Sequence, residues 1–341
     1  MNNKVRLSII LLAILSPVLG LFFGAADLSI SSIIQCVTQQ CQQPINDVIL
    51  WEVRLPRVAV GFLVGAGLAV AGATLQNVYH NGLADPYLFG VVSGAGLGAS
   101  IATILFGSSS VLSQQALSMF PDITFSVALP AAAFLGAFFA VIIVQLLATN
   151  LFANRTEQLL LAGVAVSFML SAASHFLLYS AEPFAANKVI FWLLGSLARA
   201  EMWFVWVMLP IVSISVFVLW LFGRHLDAML LGDDNAKTLG VKVEALRLLV
   251  LMICAALTAC IVAYCGGIGF VGLMIPHIVR KWVGVKTRDL LIGCVLIGGS
   301  FLIWVDVLAR SLLDNQEIPI GIITSAIGSL FFIFALRQVR P

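Results

Sequence analysis

Residues 58–78 read VAVGFLVGAGLAVAGATLQNV. No charge interrupts the stretch, and at 1.5 Å per residue it spans about 30 Å, the thickness of a bilayer's hydrocarbon core. Gly61, Gly65, Ala69 and Ala73 recur every four residues in it. That spacing puts small residues on one helix face, so a neighbouring backbone can approach closely. Gly90, Gly94, Gly98 and Ala102 repeat the pattern in the next apolar stretch. Both stripes read as packing within a helix bundle.

Composition extends this reading to the whole chain. Of 341 residues, 61% are hydrophobic and 10% charged, against about 25% charged in a soluble domain. A water-soluble globule and a disordered chain are both excluded. The net charge of +2 provides no field for nucleic acid. The apolar runs are long and continuous, unlike the alternating strands of a membrane barrel. Gaps between charges and turn residues mark ten spans: 7–26, 58–78, 87–106, 124–149, 158–180, 202–222, 248–265, 271–283, 290–308 and 319–336. The expected fold is an all-α polytopic membrane protein of one domain over 1–341. With the N-terminus inside and the spans alternating, thirteen of the 18 Lys and Arg fall inside. The positive-inside rule therefore puts both termini in the cytoplasm. The longest outside loop is then about 27–54, and the longest inside segment about 223–247.

Cys36 and Cys41 fall in that outside loop, where an oxidising compartment would permit a disulfide. Cys254, Cys260, Cys265 and Cys294 lie in or near spans and read as small hydrophobes. No metal-ligand spacing occurs. In the fifth span Ser167, Ser171, His175 and Tyr179 recur every four residues, with Ser174 beside them. The tenth has a weaker set in Thr324, Ser325 and Ser329, with Gly321 and Gly328. Polar faces in hydrocarbon turn towards protein or water. They suit either a wide pathway of low affinity or hydrogen bonding between helices, and His175 fits both.

Span centres hold no carboxylate of the kind an ion-coupled carrier uses, and no Walker A loop is present. Energy for transport would have to come from a separate subunit. Within 223–247, Asp233 or Asp234 can cap a short helix and Gly240 can end it, giving a compact knob suited to docking or to simple connection. Asp306 and Arg310 are spaced i, i+4 for an ion pair. Arg54 and Arg57 flank Leu-Pro before the second span. With Arg310 they form either interfacial anchors or a cationic outer rim that receives acidic groups of a partner.

These pieces together resemble a family. RLPR at 54–57, GAGLAVAGATLQ at 65–76, NGLADPYLFG at 81–90 and SGAGLGA at 93–99 come first. LLLAG at 159–163, WLLGSL at 192–197, LLGDDNAKTLGV at 230–241 and GGIGFVGLMIPHIVR at 266–280 follow. DVLAR at 306–310 and EIPIGIITSAIG at 317–328 complete the order. The chain resembles the permease subunit of FecCD-type, binding-protein-dependent ABC importers for iron chelates, haem and cobalamin. The resemblance covers about 50–336.

It implies a type II importer permease of ten spans, working as a homodimer with two ABC ATPase subunits and a periplasmic binding protein in a bacterial inner membrane. Membrane lipid is the other partner. This chain would bind no cofactor, with ATP and Mg on the ATPase. The resemblance implies that Leu230, Leu231, Gly232, Asp233, Asp234, Ala236, Leu239 and Gly240 seat on the ATPase. Arg54, Arg57 and Arg310 would meet the binding protein. Asn81, Leu83 and Thr156 would form the cytoplasmic gate. Ser167, Ser171, His175, Tyr179, Thr324 and Ser325, in the spans at the dimer axis, would line the pathway. Three departures stand out: Gly82 replaces the family proline, Lys286-Thr287-Arg288-Asp289 replaces the usual Asp-His-Arg turn, and Ser329 follows Gly328 where proline is common.

The leading expectation is therefore a non-enzymatic permease passing a bulky metal chelate (ferric siderophore, haem or cobalamin) inward. An ion-coupled secondary transporter is the alternative, disfavoured by the missing mid-span carboxylate. A membrane enzyme lacks paired carboxylates, a HExxH sequence and a nucleophile elbow.

Overall fold

The computed structural model describes residues 3–24, 29–38, 41, 43–106, 125–151, 156–313 and 316–337. Among them the regular structure is helical, apart from one isolated bridge between Leu313 and Gln316. A helix is what an apolar run must form without water, because it satisfies its own backbone. The long helices are α1 (Asn3–Phe22), α4 (Leu55–Val78), α5 (Val91–Phe106), α6 (Phe125–Leu151), α7 (Thr156–Ser180), α9 (Met202–Leu221), α12 (Val243–Cys265), α14 (Thr287–Ser311) and α15 (Ile320–Arg337). The shorter α13 (Val271–Val283) lies between α12 and α14. Each of the ten expected spans has a helix. Among the described residues, six helices are long and apolar enough to cross a membrane: those containing α4, α6, α7, α9, α12 and α14.

Five short helices and a turn lie between the ten expected spans. Between α1 and α4, α2 (Ile30–Val37) and α3 (Pro44–Val48) lead through a π-helical turn (Ile49–Arg54) into α4. Pro56 stands at the second position of α4 and has no N–H, which favours a wider turn there. α8 (Pro183–Leu193) follows α7, and α10 (Gly223–Met229) precedes α11 (Asp233–Thr238) in the cytoplasmic segment. Cys36 and Cys41 are joined by a disulfide. Cys36 packs with Ile33 and Leu50 in a small apolar cluster against Leu21 and Phe22 at the end of α1.

The glycine stripes pack helices backbone to backbone. A Cβ at Gly65 would overlap the Gly298 carbonyl of α14. Gly94 and Gly98 meet Gly136 and Ala132 of α6 in the same way. The four remaining cysteines are buried and free.

α13 has only 13 residues, about 20 Å, because the chain before it is unwound at Gly266–Phe270. Irregular backbone at that depth needs protein partners. The Tyr87 hydroxyl donates to the Ile268 carbonyl (2.9 Å) and accepts from the Ile268 N–H (3.0 Å). Ser196 N–H donates to the Cys265 carbonyl, and Ile320 N–H donates to the Gly195 carbonyl, both at 2.9 Å.

Candidate functional site

Three regions carry the residues that the sequence singled out. Arg54, Arg57 and Arg310 are brought together where α4 begins and α14 ends but are 3%, 6% and 5% exposed. Of the two readings, interfacial anchors or a cationic rim, the burial leaves little of these side chains at the surface to form a rim. Arg57 Nε donates to both Asp306 oxygens (2.8 and 3.0 Å), while Nη1 and Nη2 donate to the Glu317 oxygens (2.8 and 3.0 Å). Arg310 pairs with Asp306 at 3.4 Å and donates to the Gly20 carbonyl at 3.0 Å. Arg54 donates to the carbonyls of Leu21 (2.6 Å) and Phe22 (3.2 Å). The last carbonyls of a helix have no intrahelical donor, and guanidinium groups satisfy them well. Two arginines thus cap α1, and the third ties α4 to α14 and to the chain entering α15. Glu317 is the more accessible acid of this network. Its side chain is 36% exposed, against 2% for Asp306. The sequence marked it only as part of a motif.

The expected pathway stripe is divided. Ser167 Oγ donates to the Gly163 carbonyl (2.7 Å), and Ser171 Oγ donates to Ser93 Oγ of α5 (3.0 Å). Ser174 is buried and bonds to Ser100 (2.8 Å). These hydroxyls join α7 to α5 or to its own turn, so Ser167 and Ser171 lie on the side of α7 that packs on the bundle. The α7 face with His175 and Tyr179 is exposed, Tyr179 to 91%, together with Leu161, Phe168 and Phe176. On α15, Thr324 is buried and bonds to the Gly321 carbonyl, which removes it from the expected lining. Ser325 is half-buried and its carbonyl accepts from Ser329 Oγ. Ile322, Leu330, Ile333 and Phe334 form the exposed side of that helix.

Between α9 and α12, α10 and α11 build the knob. Gly232 (φ +98°) is the residue before α11, so the expected Asp233 or Asp234 cap is corrected. Both carboxylates instead lie in the first turn, where the helix dipole favours them. Gly240 (φ +82°) follows the end of the helix, as a glycine with left-handed backbone commonly does. Ala236 is buried beneath the knob, while Leu231, Asp234, Leu239 and Gly240 are exposed. Leu230 is half-buried.

The turn after α4 is held by its own polar groups. Asn81 N–H donates to the Gln76 carbonyl (3.2 Å), and Leu83 N–H donates to Asn81 Oδ1 (2.9 Å). Leu83 is exposed and nothing lies within 4 Å of a Cβ built on Gly82. Asp85 is buried and accepts the Tyr87 N–H at 2.9 Å. Burial pushes its carboxyl up to about 6, partly opposed by that hydrogen bond. Thr156 opens α7, and its side chain lies outside the described residues.

A clamp that sequence reasoning missed sits beside this turn. Arg280 of α13 donates to Gln76 Oε1 (2.5 Å) and Asn77 Oδ1 (2.9 Å). Gln76 Nε2 donates to the Gly272 carbonyl, and Asn77 Nδ2 to Thr287 Oγ1. Thr287 N–H donates to Asp227 of α10 at 2.7 Å. Spacing could not reveal it, because its members lie up to 210 residues apart.

Comparison with known proteins agrees with this architecture. Residues 10–338 match the model of the FecCD transport family. A cobalamin import system permease protein, BtuC, of Halobacterium salinarum is 39% identical over 85% of this chain and 74% of its own. The Fe(3+) dicitrate transport system permease protein FecD of Escherichia coli is 35% identical over 86% of both. A solved inward-facing structure, described as a metal-chelate type ABC transporter, superimposes with a TM-score of 0.84 at 31% identity. It covers 99% of this chain and all of its own. With the family model spanning nearly every residue and the fold shared end to end, the chain belongs to the FecCD transport family.

Proposed function

We propose that this chain is the membrane-spanning permease subunit of an ABC importer and passes a bulky metal chelate into the cytoplasm. The observation that carries the reading is the end-to-end match to a metal-chelate type transporter, joined to a cytoplasmic knob with two exposed leucines. In this reading ten helices cross the cytoplasmic membrane with both termini inside. Two copies associate through the exposed faces of α7 and α15, and His175, Tyr179 and Ser325 border the pathway between them. Leu231, Asp234 and Leu239 seat on a separate ATPase that holds ATP and Mg. Asn81, Leu83 and Thr156 close the inner end. Two of the similar proteins are named for cobalamin and ferric dicitrate, which supports a large chelate as the cargo.

A periplasmic binding protein delivers the cargo at the outer face. Because Arg57 is already engaged by Glu317, a partner's carboxylate gains that guanidinium by exchange. The long-range part of docking then remains salt-sensitive. The experiment is reconstitution into proteoliposomes with the cognate ATPase and binding protein, using cyanocobalamin and ferric dicitrate as probes. ATP-dependent uptake of at least one is expected. Uptake that persists without the ATPase, driven by an ion gradient, would overturn the proposal.

A further inference from the structure

Two contacts from the cytoplasmic knob converge on consecutive residues at the end of α4. His80 Nε2 lies 2.5 Å from the carbonyl oxygen of Met229, the last residue of α10. Arg247, on the first turns of α12, donates through Nη2 to both carboxylate oxygens of Asp233 at 3.0 and 2.8 Å. The same guanidinium lies over the Tyr79 ring, 5.8 Å from its centroid. One knob helix thus reaches the dipeptide directly, through Met229 of α10, and the other reaches it through Arg247 of α12, which joins Asp233 of α11 to the Tyr79 ring.

His80 has φ +50° and is not a glycine. Side chains disfavour this left-handed conformation, and residues held in it cluster at functional positions. The Met229 carbonyl at the end of α10 accepts the Gly232 N–H at 3.0 Å, and the imidazole reaches the same oxygen. On one side of the dipeptide, Gln76 and Asn77 are clamped by Arg280 and Thr287. On the other, Asn81–Leu83 is stiffened by its own hydrogen bonds and has open space around Gly82. The clamp is itself tied to the knob through Thr287 and Asp227 of α10, and a displacement of the knob has its direct contacts beyond the clamp. It falls on Tyr79 and His80, and the stiff turn follows.

We infer that Tyr79 and His80 are the receiver through which the knob sets the position of the Asn81–Leu83 turn, with Arg247 and Met229 as its contacts. The inference rests on the permease reading and assigns positioning residues to it. When the knob shifts, His80 loses the contact that holds its left-handed backbone and can relax. Leu83 then moves relative to the pathway mouth.

The test uses the full chain assembled with its ATPase in inside-out vesicles, with Leu83→Cys as reporter and a membrane-impermeant maleimide as probe. Labelling is compared without nucleotide and after trapping with ATP and vanadate. A change of at least fivefold is expected in this background. His80→Gly and Arg247→Met should each reduce the change to less than twofold, while vanadate-sensitive ATP hydrolysis stays within twofold. A nucleotide-dependent change that survives both substitutions overturns the receiver alone. Its absence in the unsubstituted background overturns the receiver and the permease reading together. His80→Asn keeps a residue that tolerates left-handed backbone but shortens the reach to Met229. It decides the question in the same way if either of the other variants fails to reach the membrane.

Discussion

Asp85 caps the single 3₁₀ turn Pro86–Phe89, and burial raises its carboxyl to about 6. An ordinary unfolded aspartate titrates near 3.9. The folded chain therefore binds this proton more tightly between those values, and stability falls as pH rises through the window. Asp85→Asn keeps an acceptor for the Tyr87 N–H and cannot ionise. It should be more stable than the wild type at pH 7.5 by about 1–3 kcal/mol, with the difference gone near pH 4. Thermal unfolding in detergent at the two pH values reads this directly. Glu317 offers a second test at the same scale. Glu317→Ala leaves Arg57 paired with Asp306 and frees one side of its fork. If a binding protein docks here as proposed, its affinity should rise by about two- to fivefold, the range of a partly exposed ion pair. Unchanged affinity in a salt titration would assign Arg57 to structure alone.

α4 and α14 owe their contact to glycine. Gly65 and Gly298 face each other so closely that a Cβ on either would overlap the other's carbonyl oxygen. Gly65→Val should cost about 1–3 kcal/mol or more, because backbone cannot yield as a flexible side chain does. Gly82→Ala, with nothing near its Cβ, should stay within about 0.5 kcal/mol. Comparing the two separates packing glycines from a turn glycine. In the outer segment, α2 is held against the end of α1 by Cys36, Ile33 and Leu50, and the disulfide closes a loop with a sequence separation of 5. Cys36→Ser with Cys41→Ser should release about 2 kcal/mol of loop constraint. Faster amide exchange confined to 29–54 is the expected signature.

Across the whole molecule, α4 runs from the buried outer ion-pair network to the inner Arg280 clamp, and the knob hangs beside its inner end. If that knob seats on an ATPase, Leu231→Asp with Leu239→Asp removes two exposed leucines worth about 1.5 kcal/mol each when buried. Co-purification with the ATPase should weaken about a hundredfold while the chain still folds. The sequence by itself determined the class of the protein, a helix at each of the ten expected spans, the glycine faces and the knob. These follow from local periodicity and from the scarcity of charge, which any window of the chain displays. Only the tertiary structure decided what the polar residues do. Ser167, Ser171 and Thr324 have a helical spacing that suits a pathway, yet their hydroxyls are spent within the bundle, because rotation about the helix axis is set by neighbours. The three outer arginines appeared free because their partners, the ends of α1 and Glu317, are distant in sequence. Tyr79 and His80 were invisible for the same reason. A contact made 149 or 168 residues away leaves no mark on local pattern, and burial, which sets the strength and availability of every charge here, is a property of the packed molecule.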